Sequence, residues 1–203
     1  MKIAVVDYGM GNLRSVSKAI EHVAPGEQVL VTADPKAIAS ADRVVVPGQG
    51  AMPDCMRQLG ASGAREAVIE AARAKPFLGI CIGLQMLFEQ GEEGGARGLG
   101  ILPGAIPRFR VPGLKVPHMG WNEVFQARPH PLWEGIGDRS RFYFVHSYYP
   151  APTDRALVAA TCDYGAPFTC AVARDNIFAV QFHPEKSQSA GLQLLSNFVR
   201  WHP

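Results

Sequence analysis

The chain has 203 residues, of which 47% are apolar and 19% charged, and its formal net charge is +2. This composition is typical of a folded globular protein and excludes the disordered and collagen-like classes. The basic residues are scattered, so neither a nucleic acid nor an anionic membrane is favoured as a partner. No apolar stretch approaches the roughly 18 residues of a membrane span, and Asp7 interrupts the N-terminal apolar run at once, unlike a signal peptide. We expect one cytoplasmic domain over residues 1–203.

The first half of the chain alternates short β-branched runs with helical patterns, which predicts an α/β fold with a parallel sheet. Strands are predicted at 3–6, 28–32, 43–46 and 77–80. Leu13, Val16, Ile20 and Val23 recur at helical spacing after Gly11, so an amphipathic helix is predicted there. A second helix is predicted at about 62–74, and a third begins near residue 83.

The second half is rich in proline, aromatic and β-branched residues, which indicates short strands and turns. Its last strand is predicted at 177–181, and a final helix at about 189–201. We find no internal repeat and no linker that divides the chain.

Four cysteines occur, and no C-x-x-C pair indicates zinc or a redox dithiol. Cys81 lies in Gly79-Ile80-Cys81-Ile82-Gly83, the thiol form of a nucleophile elbow, where a strand turns sharply into a helix. The glycines leave room for a strained turn, and the helix N-terminus favours the thiolate. The Ile82 amide is well placed to bind an oxyanion. A core cysteine between two chance glycines is the alternative.

A second motif, Phe182-His183-Pro184-Glu185, follows the last predicted strand. The spacing of His183 and Glu185 can direct both side chains toward one site. A histidine base and a carboxylate that fixes its tautomer would complete a triad with Cys81. A metal site is disfavoured because H-E-x-x-H and a third ligand at helical spacing are absent.

Two glycine-rich turns follow predicted strands. Pro47-Gly48-Gln49-Gly50-Ala51 exposes backbone amides, and Gly50 is our candidate for a second oxyanion donor. It is not a phosphate loop, because no G-K-[ST] follows. Gly9-Met10-Gly11 matches only half of a dinucleotide fingerprint, since Arg14 stands where a third glycine is required. We therefore expect no cofactor.

The order and spacing of P-G-x-G, G-I-C-x-G-x-Q and F-H-P-E resemble those of the class I (triad) glutamine amidotransferases. Residues 7–12 (DYGMGN), 117–122 (PHMGWN) and 182–187 (FHPEKS) are similar to those of the glutaminase subunits of imidazole glycerol phosphate synthases. The resemblance spans nearly the whole chain. It implies a three-layer, flavodoxin-like fold with helices on both faces of a mainly parallel sheet, and added antiparallel strands in the second half.

The resemblance also implies residue roles. Cys81 is the nucleophile, His183 the base and then the acid, and Glu185 the group that orients His183. The glutamine after the elbow and a glutamate at the end of the following helix bind substrate in the family, which points to Gln85 and Glu93. Backbone groups of His146, Ser147 and Tyr148 are expected to contact the same ligand.

The implied partner is a separate (β/α)8-barrel cyclase subunit. It would use the ammonia to close an imidazole ring and release an aminoimidazole carboxamide ribonucleotide in histidine biosynthesis. The candidate contact residues lie within or beside the family-specific motifs: Asn12, Trp121, Tyr143 and Lys186. Core aromatics and a solvated lysine are the alternative interpretation of the last three.

Three other functions stay open at this point. The chain could be the glutaminase of pyridoxal phosphate, purine or anthranilate synthesis, although P-H-M-G-W-N speaks against it. It could be a cysteine hydrolase of esters or peptides, although Gln85 favours a small amino-acid ligand. A catalytically inactive scaffold is disfavoured because all three triad residue types are present.

Overall fold

The computed structural model describes residues 1–203 and contains six α-helices and thirteen strands. The strands are β1 (Lys2–Val6), β2 (Gln28–Thr32), β3 (Arg43–Gly48), β4 (Phe77–Cys81), β5 (Phe88–Gly91), β6 (Leu102–Ile106), β7 (His118–Glu123), β8 (Phe125–Gln126), β9 (Arg141–His146), β10 (Ala151–Pro152), β11 (Val158–Asp163), β12 (Pro167–Arg174) and β13 (Ile177–Val180). The helices are α1 (Leu13–Val23), α2 (Pro35–Ser40), α3 (Met52–Ala61), α4 (Arg65–Ala74), α5 (Ile82–Gln85) and α6 (Gln188–Arg200).

Eight strands form the central sheet, in the order β2-β1-β3-β4-β13-β12-β11-β8. The first five strands are parallel and the last three antiparallel. Helix α1 packs against α6, and α2 packs against α4. The predicted α/β architecture, with antiparallel strands added by the second half of the chain, is confirmed. None of the helices has the length and apolar character that a membrane span requires.

The register of the central strands positions the functional motifs. Gly48 at the end of β3 lies opposite Cys81 at the end of β4, and Val180 at the end of β13 lies opposite Ile80. The glycine-rich turn, the elbow and the F-H-P-E motif therefore emerge side by side. In open α/β sheets, ligands bind at this carboxyl edge of the strands.

Several predicted element boundaries were wrong. The helix predicted from residue 62 begins at Arg65, because Gly63 has a left-handed φ of 75° that separates α4 from α3. Helices α2 and α3 lie outside the predicted helices, and each has a proline in its first turn, where the missing N–H costs nothing. The helix predicted near residue 83 is the single turn α5, followed at once by β5.

Candidate active site

The elbow is a strained turn that glycines make possible. Cys81 has φ 55° and ψ −109°, a conformation that costs a non-glycine residue roughly 1–3 kcal/mol. A Cβ on Gly83 would lie 1.8 Å from the Val46 carbonyl oxygen, and a Cβ on Gly48 would lie 2.6 Å from the Ile82 Cβ. Because both positions are glycines, β3 can pack directly against the turn after β4. The surrounding backbone therefore holds Cys81 in its strained conformation.

His183 and Glu185 form a buried pair beside Cys81. The Pro184–Lys186 turn, a 3-10 helix rather than continued strand, brings the two side chains together. His183 Nδ1 lies 2.8 Å from Glu185 Oε1, and both side chains are almost fully buried. His183 Nε2 has no hydrogen-bond partner in the protein. Burial alone would lower the pKa of His183, but Cys81 and Glu185 outweigh it and raise the pKa to about 10. The surroundings of His183 therefore favour its imidazolium form.

Two buried glutamines connect Cys81 to the opposite side of the site. Gln181 Nε2 donates to Cys81 Sγ at 3.6 Å, and Gln85 Nε2 donates to Gln181 Oε1 at 3.1 Å. Gln85 Nε2 also donates to the Tyr148 carbonyl at 3.3 Å, whereas Gln85 Oε1 is buried without a partner. Gln181 was not predicted to be a site residue, although it is the one polar residue of the strand predicted at 177–181.

A cavity of about 310 Å³ opens over the elbow. Its size is at the lower end of small-molecule sites. The sequence predicted nine residues for catalysis, the oxyanion hole or substrate binding. Eight of these nine line the cavity: Gly50, Cys81, Ile82, Gln85, Glu93, Ser147, Tyr148 and His183. The ninth, Glu185, lies behind His183. Gln49, Pro117 and Val145 also line the cavity and were not predicted. His146, predicted to contact the ligand through its backbone, and Lys186, predicted as a partner contact, line it as well.

Glu93 reaches this cavity from an unexpected element. It does not end the helix after the elbow, but begins a 3-10 turn that follows β5. Its Oε2 accepts a hydrogen bond of 2.8 Å from the Met52 amide at the start of α3. The neighbouring Glu92 instead accepts from the Arg108 amide and pairs with Arg110. The geometry therefore favours Glu93 over Glu92 as the cavity carboxylate.

A pair of buried histidines supports the far side of the cavity. His146 Nδ1 lies 2.7 Å from the Tyr148 carbonyl oxygen, and His146 Nε2 lies 3.0 Å from His118 Nδ1. Asn122 Nδ2 lies 3.3 Å from His118 Nε2. Burial lowers the pKa of His118 to about 4 and that of His146 to about 3, so both rings are neutral at pH 7. Each ring thus donates through Nδ1 and accepts through Nε2.

Three of the four residues predicted to contact the partner lie close together, and the fourth, Asn12, lies on a neighbouring element. Trp121 on β7 is 44% exposed and meets Tyr143 on β9 edge to face, with ring centroids 6.1 Å apart. Lys186 Nζ lies 5.9 Å from the Tyr143 ring centroid. Asn12 caps α1 without a side-chain hydrogen bond, and α1 contacts the turn that carries Lys186. Met119, also on β7, is 62% exposed.

The cavity thus brings together a thiol, a buried histidine–carboxylate pair and two buried glutamines. Solved structures share the fold of the chain that carries it. The structure of PurLQS from Thermotoga maritima superposes with a TM-score of 0.72 at 19% identity, covering 98% of this chain and 97% of that one. A glutamine amidotransferase from Thermotoga maritima gives 0.61 at 16% identity, covering 91% and 76%. At these identities the likeness concerns the fold alone.

The chain belongs to the class I glutamine amidotransferase family, whose model, "Glutamine amidotransferase class-I", matches residues 4–201. The imidazole glycerol phosphate synthase subunit HisH of Aromatoleum aromaticum is 67% identical over 209 aligned positions, which cover 99% of both chains. The subunits of the same name from Dechloromonas aromatica and Nitrosomonas europaea are 66% and 64% identical. They cover 99% of this chain, and 97% and 99% of their own.

Proposed function

We propose that this chain is the glutaminase subunit of an imidazole glycerol phosphate synthase in histidine biosynthesis, and hydrolyses glutamine to glutamate and ammonia. The observation that carries the proposal is the strained Cys81 at the cavity floor, beside the buried His183–Glu185 pair. The relatives of that name, 64–67% identical over almost the whole chain, support the choice among amidotransferases.

In the proposed mechanism, the Cys81 thiolate attacks the side-chain amide carbon of glutamine. The carbonyl π electrons move to oxygen, and the amides of Ile82 and Gly50 stabilise that oxyanion. Protonated His183 gives its Nε2 proton to the amide nitrogen, and ammonia leaves as the C–N bond breaks. Neutral His183 then takes a proton from water, which attacks the thioester to release glutamate and the thiolate. Glu185 keeps the Nδ1 proton in place throughout.

The substrate's amino-acid end would bind on the opposite side of the cavity. Glu93 supplies a carboxylate for the substrate ammonium group. The unpartnered Gln85 Oε1 can accept a further hydrogen bond from glutamine. Backbone groups of Ser147 and Tyr148 line the same region. These contacts suit a small zwitterion rather than a peptide or an apolar ester.

The partner would be a cyclase subunit with a (β/α)8 barrel. Ammonia in bulk water at neutral pH is largely unreactive ammonium, so efficient transfer needs a sealed route to the acceptor. The proposed contact face comprises Trp121, Tyr143, Lys186 and Asn12, and Lys186 also lines the cavity. An exposed tryptophan beside an aromatic and a cation is typical of interface hot spots.

The experiment that tests this function measures glutamine hydrolysis with and without the cyclase and its nucleotide substrate. We expect turnover to rise on addition of the loaded cyclase, and imidazole glycerol phosphate to form. The synthase partners of pyridoxal phosphate, purine and anthranilate synthesis serve as controls and should neither bind nor activate the chain. Activation by one of those partners, or cleavage of model esters with glutamine left intact beside the cyclase, would exclude the proposal.

A further inference from the structure

Gln181 has no role in the mechanism above, yet it contacts the nucleophile. It follows β13, is fully buried, and donates its backbone N–H to the Cys170 carbonyl at 2.8 Å. A buried amide side chain is costly unless its hydrogen bonds are satisfied. The side-chain partners of Gln181 are Cys81 Sγ and Gln85 Nε2, both within the site.

The direction of these hydrogen bonds determines what the Gln181 amide can do. Gln85 Nε2 donates to Gln181 Oε1, so the Gln181 NH₂ group is the end that faces sulfur at 3.6 Å. Gln85 is itself held by the Tyr148 carbonyl, which His146 also contacts. An N–H donor stabilises an anionic acceptor more than a neutral one. The network therefore presents a fixed donor to the thiolate.

We propose that Gln181 is a further catalytic residue, whose side-chain amide stabilises the Cys81 thiolate by donating a hydrogen bond to Sγ while Gln85 fixes its orientation. The inference rests on the proposed function only in that Cys81 is the nucleophile. Gln181 would act before the sulfur–carbon bond forms and again when the thioester breaks, because the sulfur carries its charge at those two stages. It thus differs from the Ile82 and Gly50 amides, which serve the substrate oxygen.

The test is the pH dependence of Cys81 alkylation by iodoacetamide, measured by peptide mass spectrometry so that the other three buried cysteines are scored separately. In Gln181→Met, which keeps the volume and removes the donor, the midpoint of the rate profile should move up by about one pH unit or more. In Gln181→Glu, which places a carboxylate against sulfur, it should move further. The control Gln58→Met, at an exposed position of α3, should leave the midpoint unchanged.

An unchanged midpoint in Gln181→Met would overturn the inference and leave Gln181 as packing alone. If Gln181→Met does not fold, as judged by thermal unfolding, Gln181→Leu removes the same donor without adding charge and decides the question in the same way. Alkylation needs no glutamine, so its result is separate from the fate of the proposed function. That function would fail if Cys81→Ala still hydrolysed glutamine, whatever the alkylation profiles show.

Discussion

The two sides of the cavity differ in what holds their residues in place. On the Cys81 side, main-chain atoms of β3 and the elbow pack against each other at glycines, and a Cβ added at Gly83 would lie 1.8 Å from the Val46 carbonyl oxygen. On the far side, main-chain pairing of β9 with β7 and a hydrogen bond from the Phe109 amide to the Ser147 carbonyl are supplemented by buried side chains. His146 contacts the Tyr148 carbonyl and His118, on which the Phe144 and Tyr164 rings stack. The backbone on the Cys81 side leaves no room for a side chain at Gly83. On the far side, the contact between His118 and His146 depends on the protonation state of the two rings.

The largest expected effect is that of Gly83→Ala on the Cys81 side. Its Cβ would overlap the Val46 carbonyl, so the elbow must move away from β3. We expect the free energy of unfolding, measured in denaturant, to fall by about 4 kcal/mol or more. The matched control is Gly60→Ala on α3, where no atom lies within 4 Å of the new Cβ. It should stabilise the protein by about 0.5 kcal/mol, and equal effects at the two positions would contradict this account of the elbow.

The next effect is that of Glu185→Gln on catalysis. The amide has nearly the volume of the carboxylate but does not stabilise imidazolium, so His183 loses the partner that fixes its Nδ1 proton. We expect kcat for glutamine hydrolysis by the cyclase complex to fall by about 10²-fold or more. Glu66→Gln, at an exposed position of α4, is the control and should leave kcat unchanged. A loss of less than about threefold in Glu185→Gln would show that His183 is not oriented by this carboxylate.

The β7 surface should show a smaller effect, confined to partner binding. Trp121→Ala removes an exposed aromatic side chain, and we expect the Kd for the cyclase to rise by about 30-fold, or about 2 kcal/mol. Val31→Ala is the control, because Val31 is 45% exposed on the edge strand β2. Isothermal titration calorimetry of both variants separates the two surfaces. Equal Kd values for Trp121→Ala and the unaltered chain would remove Trp121 from the interface.

The smallest effect concerns the pH dependence of the histidine-supported side. Burial lowers the pKa of His118 to about 4 and that of His146 to about 3. Both bind protons more readily when unfolded, where the pKa is about 6.5. The free energy of unfolding should therefore fall as pH drops from about 6.5 toward 4, by about 1 kcal/mol per histidine for each pH unit.

A matched pair of variants isolates this contribution. His118→Asn should make the pH slope of the unfolding free energy shallower by about one histidine's share. His22→Asn, at an exposed position of α1, should leave the slope as it is. Denaturant titrations at about pH 5, 6 and 7 measure these slopes. An unaltered slope in His118→Asn would show that His118 is not kept neutral by burial.

Features that depend on local sequence patterns could be predicted, whereas side-chain contacts between distant segments could not. The parallel strands, the elbow and the F-H-P-E motif are local patterns, and the structure brings their residues to one edge of the sheet. Helices α2 and α3 begin with prolines that resemble turn signals. The Gln181–Cys81 contact joins residues 100 positions apart, and the His118–His146 contact joins two strands of a separate sheet. No local periodicity encodes such side-chain pairs, so they become visible only with the tertiary fold.

The most direct test of the central claim compares two nitrogen sources in the complex of Cys81→Ala with the cyclase. Synthesis of imidazole glycerol phosphate is followed once with glutamine and once with an ammonium salt. The account predicts that glutamine-dependent synthesis falls by about 10³-fold or more, while ammonium-dependent synthesis stays at the level of the unaltered complex. Retained glutamine-dependent synthesis would contradict the assignment of Cys81 as the nucleophile.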